Sequence, residues 1–233
     1  MVAVVDGDSL RVDLAGSVID VRLAGINAPE SDECHADVAS RSLDALVADE
    51  AILEVVGTDQ YGRTVGYVWS AANLVNAALV ERGDALAMSD GEELAAALID
   101  AEDSARLRRV GMWNPASCGE RVVADVEIEM TEPDPPGPDH EVLHDEIVTI
   151  VNRGASDLDL TDFVLRDESS VNRLRFPPGT VIRPGDRLEI TSGCDPQEGI
   201  GWCSTTPIWN NGGDSALLLA PGGTVLTHVR YAP

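Results

Sequence analysis

The sequence of 233 residues contains no lysine, so all 16 of its cationic side chains are arginines. Aromatic residues make up only 4% of the chain, and no apolar run approaches the roughly 20 residues that a membrane-spanning helix needs. The net charge of −25 divides evenly, because residues 1–119 hold 8 arginines against 21 carboxylates and residues 120–233 hold 8 against 20. Neither half is therefore a basic domain of the kind that binds polyanions through a Lys/Arg surface.

What is present indicates a folded protein of two domains. Hydrophobic residues make up 44% of the chain, which excludes a disordered protein. The length suits two domains of a little over a hundred residues each, and we place the boundary between residues 119 and 120. Each half has two cysteines, Cys34 with Cys118 and Cys194 with Cys203. One disulfide in each half is possible, and disulfides would imply an oxidising compartment.

The first half predicts a small barrel. Its β-patterned segments read VAVVDGDSLRVDL, SVIDVRLAGI, AILEVVG and TVGYVWS, separated by Gly, Asn and Asp turns. Apolar residues at helical spacing predict helices at about 36–48, 74–80 and 92–110. Five strands and three helices in this order favour an OB-fold, the five-stranded barrel that binds oligonucleotides.

The second half predicts an all-β sandwich. From Glu146 onward the short strand patterns EIVTIVN, FVLRD, LRFP, RLEITS, SALLLA and TVLTHVRY recur, with turn signals about every ten residues. The Pro/Gly-rich residues 131–139 are interpreted as a long loop inside this domain. No helix pattern is present in this half, so the fold class of the whole chain is mainly β.

Three segments of the first half concentrate carboxylates and arginines at strand ends and turns. They are VVDGDSLRV, VRLAGINAPE and DQYGRTVGYV, with Asp6, Asp8, Arg22, Asn27, Glu30, Asp59, Tyr61 and Arg63. A phosphodiesterase needs a hard cation held by oxygen ligands, a base for the attacking water, and fixed positive charge at the phosphate. The three segments contain one group of each kind, although each motif alone is also a common turn.

The ordered set DGDS, RLAGINAPE and DQYGR, followed by NAALVERGDA and GMW, resembles the staphylococcal nuclease (thermonuclease) family over about residues 1–116. The resemblance implies Ca²⁺-dependent hydrolysis of phosphodiester bonds in DNA or RNA, leaving 3′-phosphates. It implies that Ca²⁺ is bound by Asp8, Asn27 and the main-chain carbonyl of Ala28, with Asp6 in the outer shell. The implied general base is Glu30, the implied phosphate-binding guanidiniums are Arg22 and Arg63, and the implied nucleotide contact is Tyr61.

Two departures from the family pattern bear on binding. Asn27 stands where the founding members carry an aspartate ligand, and because its amide oxygen is uncharged we expect weaker calcium binding. Met88 and Ser89 stand where the founding member stacks tyrosines on the base, and the lysine-rich loop is absent. We therefore expect nucleic acid to be held weakly.

The resemblance also bears on the cysteines and on location. Cys34 and Cys118 occupy places where secreted relatives carry a disulfide, so we favour a bridge over two free buried thiols. The chain opens almost inside a strand at residues 1–5, so we expect a form trimmed of its leader. Together these observations predict an extracellular or cell-envelope protein.

Residues 122–233 resemble the lamin-tail domain, an immunoglobulin-like β-sandwich, most specifically in IWNNGGDSALLL. The resemblance implies a binding or targeting role toward an unknown ligand, such as the cell envelope or a protein. It places Trp209 in the core and makes a bridge between Cys194 and Cys203 a staple of the preceding loop. Asp195 and Glu198 in that loop could bind a divalent ion, but a solvated loop is favoured.

Other functions compete with that of a nuclease. His140, Glu141 and His144 match the HExxH signature of zinc proteases, but flanking prolines and a following strand pattern leave no room for the helix that this chemistry needs. A non-catalytic barrel that binds nucleic acid or protein is a second hypothesis, and a lamin-tail half that acts as the functional core is a third. The combination of Glu30 with Arg22 and Arg63 favours the nuclease.

Overall fold

A computed structural model of the chain describes all residues except 1, 15, 32, 48–50, 89–93, 120–121, 123, 170, 195, 197 and 232–233. The chain divides into two compact units, Met1–Cys118 and Gly119–Pro233. Over the described residues, no helix combines the length and the apolar character that crossing a membrane requires.

The N-terminal unit contains eight strands and three α-helices over its described residues. The strands are β1 (Val2–Val4), β2 (Ser9–Leu14), β3 (Ser17–Leu23), β4 (Ile26–Asn27), β5 (Ile52–Thr58), β6 (Thr64–Ser70), β7 (Asn73–Leu74) and β8 (Leu86–Ala87). The helices are α1 (Ala36–Leu46), α2 (Val75–Arg82) and α3 (Ala95–Arg108), followed by a 3₁₀ turn at Gly111–Trp113.

Five strands of this unit pair in the order β1-β2-β3-β6-β5. All neighbours are antiparallel except β3 and β6, which run parallel with Arg22 opposite Val65. The described strands form this open hydrogen-bonded path, with β7 paired to β6 and β4 paired to β8 beside it. The five strands and three helices confirm the OB-fold class predicted from the sequence.

The helices pack on this sheet through apolar side chains. The core includes Leu10, Leu23, Leu43, Tyr67, Leu79 and Leu98, all at most 1% exposed. Asn76 of α2 is also buried, because its Nδ2 donates to Ala24 O and its Oδ1 accepts from Val68 N. One amide side chain thus joins α2 to the strands that carry the site described below.

The C-terminal unit contains ten strands over its described residues. They are β9 (Val126–Glu132), β10 (Ile147–Asn152), β11 (Leu158–Asp159), β12 (Val164–Arg166), β13 (Arg173–Arg175), β14 (Val181–Ile182), β15 (Arg187–Thr191), β16 (Ile200–Gly201), β17 (Asp214–Leu219) and β18 (Val225–Tyr231). Its one described helical segment is a 3₁₀ turn, Asp139–Glu141.

Two four-stranded sheets make up most of this unit, in the orders β16-β15-β10-β9 and β13-β12-β17-β18. The core between them includes Ile150, Leu165, Phe176, Ile190, Trp209 and Leu218. Trp209 is 2% exposed and meets Trp202 edge to face, with 5.9 Å between ring centroids. This is the immunoglobulin-like sandwich predicted for the second half, with Trp209 in its core as expected.

Two buried carboxylates hold the loop before β17. Glu146 accepts hydrogen bonds from the backbone N–H groups of Ile208 and Trp209. Asp214 accepts from the N–H groups of Asn210, Ser215 and Glu168. The Asp that ends the NNGGD motif therefore satisfies the backbone donors of the turn that this motif forms.

Asp214 makes the stability of the protein depend on pH. Burial, followed by the nearby Glu168 charge, raises the pKa of Asp214 to about 8. A raised folded-state pKa means that the stabilisation is complete below the unfolded pKa near 4 and is lost as pH rises toward 8. We expect the free energy of unfolding to fall by a few kcal/mol over this range, because each pH step of one between the two pKa values contributes at most about 1.4 kcal/mol.

The measurement is urea unfolding of the full chain between pH 5 and 9, comparing wild type with Asp214→Asn. Asparagine imitates the protonated acid, so the variant is expected to lose much of the pH slope. Asp157→Asn removes an exposed carboxylate of the same unit and should keep the wild-type slope. Equal slopes in wild type and Asp214→Asn would contradict the prediction.

Candidate active site

The turn Asp6-Gly7-Asp8 between β1 and β2 is held against the segment that follows β4. A Cβ atom on Gly7 would lie 2.6 Å from Ala28 Cβ and 2.7 Å from Ala39 Cβ, so only glycine allows this close approach. Asp6 Oδ1 accepts the N–H of Asp8 at 3.0 Å, and Asp8 Oδ2 accepts the N–H of Ala28 at 2.7 Å. Packing and hydrogen bonds thus bring the DGDS and NAPE motifs together.

Arg22 on β3 reaches the same place. It lies opposite Ser9, the residue after Asp8, in the antiparallel pairing of β2 and β3. Its Nη1 forms an ion pair with Asp8 Oδ2 at 2.5 Å, and its Nη2 donates to Asn27 Oδ1 at 2.9 Å. One guanidinium therefore bridges two of the oxygen ligands that the sequence predicts for calcium.

The Asp8 side chain is largely buried. It is 6% exposed, and its Oδ1 accepts from Ser9 Oγ. Burial raises the pKa of Asp8 to about 6, and the Arg22 guanidinium and the N–H of Ala28 oppose that rise. At pH 8 the carboxylate is therefore ionised.

Arg63 lies immediately before β6, the strand next to β3. Its Nε binds Asp59 Oδ2 at 2.6 Å, and Asp59 Oδ1 accepts the N–H groups of both Tyr61 and Arg63. Tyr61 is 74% exposed, with the Arg63 guanidinium 5.6 Å from its ring centroid. Because Asp59 engages only Nε, the Nη edge of Arg63 can bind an oxyanion bidentately.

Glu30 lies in the loop between β4 and α1 and is exposed. Its backbone N–H donates to Glu33 Oε2 at 2.6 Å, and its carbonyl accepts from the N–H of Glu33. No hydrogen bond or ion pair from any described residue reaches the Glu30 carboxylate. The structure therefore leaves this carboxylate open to water, while Asp8, Asn27 and Arg22 are in direct contact.

A disulfide at Cys34 and an ion pair at His35 fix the far end of the Glu30 loop. Cys34 forms a disulfide with Cys118, and a second disulfide joins Cys194 to Cys203 in the other unit. His35, immediately after Cys34, pairs through Nε2 with Asp84 Oδ1 at 2.7 Å, and both side chains are buried. The loop is thereby tied to the end of α2 and to the residues after α3.

The donor set at Asp8 suits a hard cation. The ligands predicted from the sequence are one carboxylate, the amide oxygen of Asn27 and the carbonyl of Ala28, and Ca²⁺ accepts all three types of oxygen. The Arg22 guanidinium already brings two of these oxygens to one positive group. Within the described ranges, no three His, Cys, Asp or Glu side chains lie together as a metal cluster. The residues fit calcium, with low ligand charge.

Comparison with known proteins relates each half of the chain to a known family. Residues 20–115 match the staphylococcal nuclease homologue family, and residues 120–233 match the lamin tail domain. Protein ParB of Escherichia coli is 34% identical over 125 residues, covering 49% of this chain and 71% of that protein. Micrococcal nuclease of Shigella flexneri is 31% identical over 131 residues, covering 52% and 75%. The chain belongs to the staphylococcal nuclease family. An uncharacterized endonuclease of Haemophilus influenzae is 30% identical over 115 residues, covering 48% and 64%.

In this member of the staphylococcal nuclease family, sequence reasoning gave no role to three residues near the predicted site. Asp59 belongs to the DQYGR motif, but its bond to Arg63 was not foreseen. The buried pair of His35 and Asp84 was also not predicted, because His35 belongs to no motif, NAALVERGDA gave Asp84 no role, and 49 positions separate the two residues. Of the two residues that stand where the founding member stacks tyrosines, Met88 is partly buried and Ser89 lies outside the described residues.

The HExxH match of this nuclease-family chain does not form a metal site. Residues 139–141 form a 3₁₀ turn and residues 143–145 an ordinary turn, so the two histidines are not one α-helical turn apart. His140 is exposed beside Glu141, while the His144 ring packs against Gly193. The absence of a helix here agrees with the sequence-based rejection of a protease. Of the two loop carboxylates considered for a divalent ion, Asp195 lies outside the described residues and Glu198 is exposed.

Asp59 takes no part in the proposed reaction itself, but its bond to Arg63 gives it a testable positioning role. We expect Asp59→Ala to lower kcat/KM for nucleic-acid cleavage by up to about a hundredfold, because Arg63 loses the partner that orients it. The measurement is initial-rate cleavage of a labelled oligonucleotide. Asp20→Ala breaks the exposed Arg11–Asp20 pair of the same sheet and should stay within about twofold of wild type. Full activity of Asp59→Ala would show that Arg63 needs no such support.

Proposed function

We propose that the chain is a Ca²⁺-dependent nuclease that hydrolyses phosphodiester bonds of DNA or RNA and leaves 3′-phosphates. The observation that carries this proposal is the contact of Arg22 with Asp8 and Asn27, beside the bond from Ala28 N to Asp8. It joins the proposed metal ligands to a proposed phosphate-binding group. The names and similarity of the Shigella flexneri and Haemophilus influenzae relatives support the nuclease activity in this proposal.

Each residue then has a proposed task. Asp8, Asn27 and the Ala28 carbonyl would hold calcium, with Asp6 beside them, and the ion when bound would polarise the phosphate. Glu30 removes the proton from the attacking water, which reaches it because its carboxylate faces solvent. Arg22 and Arg63 neutralise the charge that builds on the phosphoryl oxygens. Tyr61, exposed beside Arg63, contacts the nucleotide.

Substrate binding is proposed to be weak. Residues 1–119 carry a net charge of −13, from 8 arginines and 21 carboxylates. Repulsion of a polyanion by this surface is reduced when salt screens exposed charges, which contrasts with the usual loss of nucleic-acid affinity in salt. Activity is therefore expected to tolerate salt better than that of a basic nuclease.

The lamin tail domain is proposed to be an accessory binding or targeting domain, with the domain division at residues 119 and 120. Its ligand would be a component of the cell envelope or a protein. Two disulfides in a 233-residue chain support a location in an oxidising compartment, outside the cell or at the envelope.

Digestion of plasmid DNA and of RNA tests the proposed function. The full chain is assayed with Ca²⁺, with Mg²⁺ and with EDTA, at low and high NaCl, beside Asp8→Asn and Asp44→Asn. Asp44→Asn removes an exposed carboxylate of α1 and serves as the matched control. We expect cleavage with Ca²⁺, loss of cleavage with EDTA and strong loss in Asp8→Asn alone. An inert wild type under every condition would favour the non-catalytic binding module.

A further inference from the structure

The Arg22 guanidinium holds the two side-chain oxygens that are proposed for calcium. Nη1 lies 2.5 Å from Asp8 Oδ2 and Nη2 lies 2.9 Å from Asn27 Oδ1. Oδ2 of Asp8 also accepts the N–H of Ala28, and Oδ1 accepts from Ser9 Oγ. Both oxygens of Asp8 thus already carry donors, and the Arg22 side chain occupies the space beside Asn27 Oδ1.

A divalent cation and this guanidinium compete for the same atoms. The side chains of Arg22 and Asp8 are 18% and 9% exposed, so water screens their interaction poorly. A cation that takes Asp8 and Asn27 as ligands would lie next to a like charge unless Arg22 moves away. With a cation bound to Asp8 and Asn27, displacement of Arg22 therefore removes this repulsion.

The other arginine of the site is held differently. Arg63 pairs through Nε with Asp59, which is not among the proposed ligands, and its Nη edge stays available. Asp59 thus orients Arg63 without any competition with a metal at the proposed ligands. The two arginines therefore differ. Arg22 must leave Asp8 and Asn27 before it can bind a phosphate, whereas Arg63 can bind one while it remains paired with Asp59.

We propose that Arg22 is an exchangeable internal cation, which occupies Asp8 and Asn27 until calcium takes these ligands and releases the guanidinium to the phosphate. This inference rests on the proposed function. It makes metal binding and the availability of one phosphate-binding group a single equilibrium. The apparent calcium affinity is then the intrinsic affinity multiplied by the fraction of molecules in which Arg22 does not occupy the ligands.

Calcium binding to the full chain, measured by calorimetry at pH 8 without nucleic acid, tests the exchange. We expect Arg22→Met to tighten calcium binding by about tenfold, if the bridged arrangement is favoured about ten to one. Arg22→Lys keeps the charge but cannot bridge both oxygens, so it should tighten binding by a smaller factor. Arg63→Met is the matched control, because it removes a neighbouring charge that contacts no proposed ligand, and it should change affinity by less than about threefold.

A second measurement uses the wild-type protein, so it does not depend on the folding of a variant. The ¹⁵N resonance of Arg22 Nε should move during a Ca²⁺ titration with the calorimetric midpoint, while that of Arg63 Nε, bound to Asp59, should stay in place. Equal calcium affinity in Arg22→Met and wild type, or an unmoved Arg22 resonance, overturns the exchange and leaves calcium-dependent cleavage intact. Absence of calcium binding in every variant overturns both the exchange and the calcium part of the proposed function.

Discussion

Replacing Glu30 by glutamine is expected to lower kcat for phosphodiester cleavage by about 10²- to 10⁴-fold, the usual contribution of a general base. Glutamine keeps the size of the side chain but cannot take a proton from water. The exposed carboxylate makes no contact with a described residue that the substitution would break, so stability should stay unchanged. KM should change little, because the proposed phosphate contacts come from the arginines.

Single-turnover cleavage of a labelled oligonucleotide with saturating Ca²⁺ measures this effect, and a melting curve checks the fold. Asp100→Asn removes an exposed carboxylate from α3 and is the control for the change in net charge. If Glu30→Gln cleaves within about threefold of wild type, the base is another group and Glu30 has no catalytic role.

Replacing Arg63 by alanine is expected to lower kcat/KM by about 10²- to 10³-fold, comparable to the loss of one preorganised donor at a developing charge. The expectation follows from orientation, because Asp59 fixes the guanidinium before substrate arrives. Arg63→Lys should lose nearly as much, since an ammonium group cannot bind Asp59 through Nε and a phosphate through two nitrogens at once.

The same cleavage assay, performed over a range of substrate concentrations, separates binding from chemistry for these variants. Arg11→Ala removes an exposed arginine of β2 that pairs with Asp20, so it matches the loss of charge without touching the site. Equal losses in Arg11→Ala and Arg63→Ala would mean that Arg63 acts only through net charge.

Much of the fold could be predicted because its signals are local. The helices at 36–48 and 74–80 were predicted within two residues of α1 and α2, since apolar spacing sets both. Strand β9 was absent from the predicted strands, although its apolar residues alternate with glutamates as in a strand, because in the second half only the patterns from Glu146 onward were assigned to strands. The prediction for α3 began at residue 92, which lies outside the described residues.

The contacts of the site depend on distant pairings that a sequence does not display. The motifs indicated that Asp8, Arg22 and Asn27 belong to one site, and the register of β2 on β3 is what puts Arg22 beside Asp8. The contact of Arg22 with Asp8 and Asn27, the proposed calcium ligands, could not be foreseen, because the family resemblance assigns Arg22 to phosphate. The partnership of His35 with Asp84 depends on the packing of α1 near the end of α2, which no local pattern encodes.

The disulfide of the N-terminal unit divides the site into two topological parts. Cys34 and Cys118 close 84 positions of chain into a covalent ring that contains Arg63. Asp8, Arg22, Asn27 and Glu30 all precede Cys34 and lie on the tail that leads into the ring. A protease that cuts once inside the ring leaves both pieces covalently joined, whereas one cut between Glu30 and Cys34 detaches the proposed metal ligands and the proposed base. Resistance of the enzyme to nicking in a protease-rich medium therefore depends on how well the few residues before Cys34 are protected.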